Sequence, residues 1–268
     1  QGSLTGELLE HRFIQADSVL YRVFLELERW INNGSDRILT SSGAAAEMLK
    51  IRFGLTHDKV IVALDGVDIA NFSPTKPPDR LRVDLGLSAD RPIVVFLGAM
   101  SEQQGVDLLL EAIVRMKDKG TAAHFLLMGY PDETYRAKAS TLGIGEHVTF
   151  TGKIDYSQAA QYLNLGTIAV SAKISTTEAN GKLFNYMGCG LATVVFDTPV
   201  NREILGEAGV YAQFGSSRDL ADKMACLLAD PLLCLELGEN LRAKAVAEYS
   251  WDANVRLITN IPGTTADE

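Results

Sequence analysis

The chain has 268 residues, 47% of them hydrophobic and 22% charged, with a formal net charge of -9 at pH 7. This length can bury a sizeable core in one large domain or two small ones, and the acidic balance argues against nucleic acid as the main partner. No apolar run approaches the roughly 20 residues of a membrane-spanning helix, and the start lacks a signal-peptide pattern.

The first predicted element is a helix over Asp17–Asn33, where Val19, Leu20, Val23, Leu27, Trp30 and Ile31 recur at helical spacing before Asn33-Gly34. Arg37–Ser41 reads as a strand, Ser42 as the cap of a helix from Gly43 to about Phe53, and Lys59–Leu64 as a second strand. Gly66 suits a turn of positive φ, and Ser73–Arg82 is a proline- and charge-rich linker. Six further strands are expected near 91–98, 124–128, 147–152, 167–171, 191–196 and 209–212. Between them lie helices over Val106–Lys117, Glu133–Leu142, Tyr156–Asn164 and the stretch around Arg202. Helices over Leu220–Leu228 and Pro231–Tyr249 follow, and the tail from Ile261 reads as loose. Strands and helices alternating at this period imply an α/β, doubly wound parallel sheet. The expected division is 1–66, a hinge and linker over 67–90, a main domain over 91–250, and a returning helix with the tail over 251–268.

Four histidines (His11, His57, His124 and His147) are scattered without metal-ligand spacing, so no metal site is expected. Cys189, Cys226 and Cys234 have no C-x-x-C spacing and read as core-packing thiols in a reducing, cytoplasmic compartment. No G-x-G-x-x-G follows a strand, which argues against a nicotinamide-dinucleotide enzyme.

The stretch Ser171–Asp197 carries the chemistry. It reads as strand, polar loop, helix, strand, and its loop holds Lys173, Glu178, Asn180, Gly181 and Lys182. Ligands of open parallel sheets sit beyond the carboxyl ends of the strands, where helix N-termini favour anions. Glu178, Gly181, Met187, Cys189, Gly190 and Thr193-Val-Val resemble the donor-binding motif of the retaining family 4 glycosyltransferases, and Asp65–Pro74 resembles that family's interdomain hinge. The resemblance covers roughly residues 36–260. It implies a Rossmann-like domain forming the C-terminal half of a GT-B fold, and only about 65 residues precede the hinge, too few for a complete N-terminal acceptor domain. Either the chain is a piece of a longer one or the architecture is reduced.

Within that resemblance, Glu178 would accept hydrogen bonds from donor-sugar hydroxyls and support a cationic transition state; the alternative is a solvated loop carboxylate. Asn185 stands where the family's second Glu is usual, with the spacing from Glu178 one residue short, and would bond a ribose hydroxyl. Asn180 and Gly181 would offer backbone N–H groups. Gly98–Gly105 resembles the family's Gly-Arg-x-x-x-x-Lys-Gly loop, whose Arg and Lys grip the donor diphosphate, but Ala99 and Gln104 replace both cations. Each lost charge-assisted bond weakens binding by roughly 1.5–3 kcal/mol. Lys182, Lys173 and backbone N–H groups are the candidates to replace them, with Gln103 and Gln104 as neutral donors. A lysine in a first helical turn opposes the helix dipole, which hints at an anion near Lys182. Gly129 and Gly152 close strands at the same edge, where a base or ribose would pass. The expected substrate is a UDP- or GDP-sugar, with no other cofactor and an unknown acceptor. The rival expectation is a nucleotide-sugar-binding module without transferase activity, completed by a partner domain or a second copy.

Overall fold

A computed structural model describes residues 3–10 and 13–259; His11 and the tail from Ile261 lie outside them. The chain divides into two compact units. One takes the chain up to Asp65, Thr176–Ala179 and the chain from Asn254; the other takes Gly66–Ser175 and Asn180–Ala253. The stretch 67–90, expected as hinge and linker, thus belongs to the second unit.

The first unit contains α1 (Leu4–Glu10), α2 (Val19–Gly34), β1 (Ile38–Thr40), α3 (Gly43–Phe53) and β2 (Val60–Val62). Ser42 caps α3 as expected, its Oγ accepting from the Ala45 N–H at 3.0 Å. β1 and β2 pair in parallel, and Ala46, Leu49, Phe53, Leu55 and Val60 form a small core beside them. The helical spacing in α2 holds, yet its apolar stripe points outward: Val19 is 76% and Trp30 75% exposed, while Glu28 and Asn32 are buried. The physical reason is the Glu28 carboxylate. It accepts from the Leu4 and Thr5 N–H groups and the Ser3 hydroxyl, taking up donors that the start of α1 leaves unpaired.

The second unit contains α4 (Asp79–Asp84), β3 (Ile93–Leu97), α5 (Val106–Asp118), β4 (His124–Met128), α6 (Glu133–Thr141), β5 (Val148–Gly152), α7 (Ala159–Leu163), β6 (Ile168–Ser171), α8 (Lys182–Gly188), β7 (Thr193–Phe196), α9 (Pro199–Leu205), β8 (Val210–Ala212), α10 (Ser217–Leu228) and α11 (Pro231–Glu248). The last helix, α12 (Trp251–Thr259), returns the chain to the first unit, where the Asn254 amide donates to the Leu64 carbonyl at 3.0 Å. The six strands β3–β8 pair in parallel in the order β5-β4-β3-β6-β7-β8. β6 and β7 are buried throughout and β3 and β4 at all but one residue each, as strands covered by helices on both faces require, while the edge strands β5 and β8 are partly exposed. Cys189 and Cys234 join this buried set, but Cys226 is exposed on α10, so the core-packing expectation fails for that thiol.

The Asp65–Pro74 stretch is held at several points. Val67 N–H donates to the Tyr249 carbonyl, Phe72 is fully buried, and the Arg242 guanidinium reaches the carbonyls of Ile69, Phe72 and Gly188.

One departure from regular pairing positions the site. β3 and β6 pair at Val94–Ile168 and Val95–Ala169 only. One step further on, the Tyr186 hydroxyl sits between the strands, accepting from the Leu97 N–H at 2.8 Å and donating to the Val170 carbonyl at 3.3 Å. The phenol is buried, which raises its pKa well above the ordinary tyrosine value. Tyr186→Phe removes a partner from two backbone groups at once, and an unsatisfied buried group costs about 1–3 kcal/mol. Urea unfolding is expected to show a loss of about 2–6 kcal/mol; an unchanged midpoint would contradict the bridging role.

Candidate functional site

The order β5-β4-β3-β6-β7-β8 reverses its winding between β3 and β6. Open parallel sheets bind ligands at such a switch point, beyond the strand ends. Two loops meet there, 98–105 after β3 and 172–181 after β6. The Ile174 N–H donates to the Gln103 carbonyl at 3.1 Å, joining them. Gly105 has φ 68°, and a Cβ on it would stand 1.8 Å from the Ala172 carbonyl oxygen, so only glycine permits this approach.

Lys182 stands in the first turn of α8 and reaches back between these loops. Its residue as a whole is partly exposed, but its ammonium is enclosed. Nζ lies 4.3 Å from the Phe96 ring centroid and donates to Gln104 Oε1. A Cβ on Gly98 would come within 2.7 Å of that Nζ. Burial, and then the neighbouring positive charge of Lys173, pull the Lys182 pKa down to about 7. Lys173 is itself buried. Two lysines thus converge at the switch point, and Gln104 supplies a carbonyl oxygen to one of them while its amide Nε2 remains the group left to donate.

Asn180 is buried at the base of the same loop. Its amide donates to Ser171 Oγ at 3.1 Å and to Asn201 Oδ1 at 3.0 Å, and Asn201 in turn donates to the Phe196 carbonyl at 2.8 Å. That network ties the loop to the end of β7, so the Asn180 side chain is engaged with the sheet, and its carbonyl accepts from Leu183 N–H. Gly181 is exposed beside it. Asn185 is buried one turn into α8, and its Oδ1 accepts from the Tyr156 hydroxyl at 3.1 Å. Tyr156 packs on Phe72, with ring centroids 5.1 Å apart. Sequence reasoning missed Tyr156, which lies 29 residues from Asn185. Glu178 lies in the Thr176–Ala179 segment of the first unit, where the Thr177 carbonyl accepts from Ser42 Oγ at 2.6 Å.

A cavity of about 430 Å³ opens at the ends of β3, β4 and β5, lined by Leu97, Gly98, Ala99, Met128, Gly129, Tyr130, Pro131, Lys153 and Ile154. Part of its wall is glycine backbone packed on glycine backbone: a Cβ on Gly129 would stand 1.7 Å from the Gly98 carbonyl oxygen. Gly98 N–H donates to Met128, and Gly129 N–H to Gly152. Gly98, Gly129 and Gly152 therefore come together, joined by Lys153, whose Nζ lies 5.5 Å from the Tyr130 ring centroid. Tyr130 and Lys153 were not singled out from the sequence, although each directly follows a glycine that was.

His124 sits at the start of β4 with Nε2 2.9 Å from Thr149 Oγ1, and burial pushes its pKa down. Among the described residues no group of three or more His, Cys, Asp or Glu side chains is placed to hold a metal ion, and no helix is long and apolar enough to cross a membrane.

The sequence pattern of the family described as "Glycosyl transferases group 1" matches residues 91–230. The chain is 28% identical over 249 residues to a D-inositol 3-phosphate glycosyltransferase of Nocardia farcinica, covering 84% of this chain and 51% of that protein. It is 26% identical to an alpha-maltose-1-phosphate synthase of Mycolicibacterium smegmatis, covering 86% of this chain and 64% of that one. Among solved structures, HepE of Anabaena in complex with UDP and glucose shares the fold, with a TM-score of 0.78 and 19% identity over 88% of this chain and 66% of that one. The chain spans between half and two thirds of the length of these proteins.

The lowered pKa of Lys182 has a testable sign. The unfolded chain holds that proton up to an ordinary lysine value of about 10.4, while the folded protein releases it near 7. Between those values the unfolded state binds more protons, so stability rises with pH across that window. Lys182→Met removes the group. Urea unfolding at pH 6.5 and 9.5 is expected to show the variant ahead of the parent at 6.5 and that lead shrinking by 9.5. Parallel profiles would contradict the assignment.

Proposed function

The chain belongs to the family described as Glycosyl transferases group 1, and from that membership we propose that its second unit binds the nucleotide-activated sugar of a retaining glycosyl transfer. The single observation that carries the reading is the enclosed Lys182 ammonium, set beside Lys173 and next to the 430 Å³ cavity at the sheet's switch point. In this reading the nucleoside enters the cavity, flat against the bare backbone of Gly98 and Gly129, with Gly152 behind them. The diphosphate meets Lys182 and Lys173, together with the Gln103–Gly105 turn. The sugar extends toward Asn180 and Gly181, and Asn185 reaches the ribose side through its contact with Tyr156. The solved complex of HepE with UDP and glucose, which shares the fold, supports a nucleotide-sugar ligand.

Ala99 and Gln104 stand where the resembled motif has its two cations, so Lys182 takes over that charge from the first turn of α8. As the sugar C1–O bond breaks, negative charge grows on the departing phosphate. An ammonium already in position at low local dielectric stabilises that charge without reorganising. With lysines neutralising the phosphates, the chemistry needs no metal. Glu178 accepts from sugar hydroxyls and supports the positive charge at C1. The free thiols fit a reducing compartment, and we place the protein in the cytoplasm.

A second reading is a donor-binding module without transferase activity of its own, completed by a partner domain or a second copy. It is favoured by Ala99 and Gln104, which stand where the resembled motif has its two phosphate-gripping cations. The two separate in an assay for nucleoside diphosphate released from a sugar donor with and without acceptor.

The test of the donor site is a thermal-shift panel with UDP, GDP, ADP and their sugar conjugates. A ligand at 100 times its dissociation constant adds about 2.7 kcal/mol, which for a domain of this size raises Tm by about 5–10 °C. One nucleotide is expected to give that shift, and Lys182→Ala to abolish it. Glu178→Ala is expected to keep the shift with the free nucleotide and lose the extra shift of the sugar conjugate. No shift with any nucleotide would sink the donor reading.

A further inference from the structure

We infer that a substantial fraction of Lys182 is uncharged before the donor binds and takes up a proton when the nucleoside diphosphate arrives, so that donor capture is coupled to proton uptake. The inference rests on the donor-site reading above and concerns the regulation of that same site by pH.

The geometry leaves the ammonium poorly compensated. Its one hydrogen-bond acceptor among the described residues is the neutral Gln104 Oε1. β3 faces it with the Phe96 ring and no titratable group. The 98–105 loop faces it with Gly98 and Gln104, and that loop's carboxylate, Glu102, is exposed. The 172–175 loop contributes Lys173, a like charge. Its own helix contributes Tyr186, whose hydroxyl is occupied by Leu97 and Val170. Glu178 precedes it by four residues but belongs to the other unit. Burying an ammonium without a counter-charge is expensive, and the group loses its proton instead. Arginine does not have that option. The pKa of about 7 agrees with this placement.

A diphosphate inverts the balance for Lys182, since it brings a counter-charge to an ammonium whose hydrogen bond goes to the neutral Gln104. The proton comes from solvent, binds the Nζ lone pair, and returns to solvent when the nucleoside diphosphate leaves. The site therefore accepts the donor readily below about pH 7 and resists it increasingly above. Above that value affinity falls by about tenfold per pH unit until Lys182 titrates in the complex as well.

The test is isothermal titration of the whole chain with UDP, GDP and ADP at pH 8, each run in buffers of different ionisation heat. The terminal phosphate titrates near 6 and is already ionised at pH 8, so proton uptake there belongs to the protein. The expected result is an observed heat that varies with buffer ionisation heat, with a slope of about 0.5–0.9 proton per nucleotide. Lys182→Arg, always charged, is expected to reduce the slope to near zero. The Lys182 Cε resonance of the labelled parent protein gives a second readout independent of any variant. It is expected to titrate near 7 alone and above 9 with UDP, given a diphosphate counter-charge. Tight binding with a zero slope, or a midpoint near 10 in the protein alone, would overturn this inference and leave the donor reading standing. No heat with any of the three nucleotides would overturn the donor reading and the inference with it.

Discussion

The Tyr186 hydroxyl between β3 and β6 is the contact on which the site depends. Two parallel strands that paired to their ends would close the sheet at the switch point. Here the ladder runs through Val94–Ile168 and Val95–Ala169, and then a phenol takes the place of the next direct bond. The backbone groups stay satisfied, which burial demands, and the following loops meet again at the Ile174–Gln103 hydrogen bond, with the Lys182 ammonium bonded to Gln104 of one of them. The same helix, α8, supplies both the wedge and the lysine: Tyr186 and Lys182 are separated by one helical turn, so one face of the helix spaces the strands and delivers the charge.

The charge itself follows from an exchange between loops. The resembled motif carries cations after β3, and in this chain that loop carries Ala99 and Gln104. Lys182 comes from the opposite side and donates to Gln104, the residue standing in the missing lysine's position. Gly98 leaves room for it: a methyl group there would sit 2.7 Å from Nζ and displace the ammonium, and a φ of 148° disfavours a side chain in any case. The proposed diphosphate would supply the counter-charge to this enclosed ammonium, and without it the cost of enclosure falls on the protein itself.

Much of this was legible in the sequence, and the failures have physical causes. Alternating strands and helices specify the doubly wound sheet, and Ser42 announces the start of α3 because a hydroxyl cap is a local interaction. Lys182 stood out because a cation in a first turn opposes the helix dipole. Its partner Gln104, 78 residues away, depends on strand order and cannot be read locally. The pairing of Tyr156 with Asn185 is hidden for the same reason. Periodicity gave the spacing of the α2 stripe and no direction. Its outward orientation is decided by Glu28, whose carboxylate binds the N–H groups of another helix. Cys226 carried the same bias: cysteine usually packs inside, and on α10 it faces out.

The measurement that tests the account most directly is a crystal structure of the chain with UDP. The account predicts the uracil ring in the cavity against Gly98 and Gly129, and a phosphate oxygen about 3 Å from Lys182 Nζ, with Gln104 still bonded to that lysine or displaced by the phosphate. A UDP molecule bound elsewhere, or one whose phosphates point to solvent away from Lys182, would contradict it.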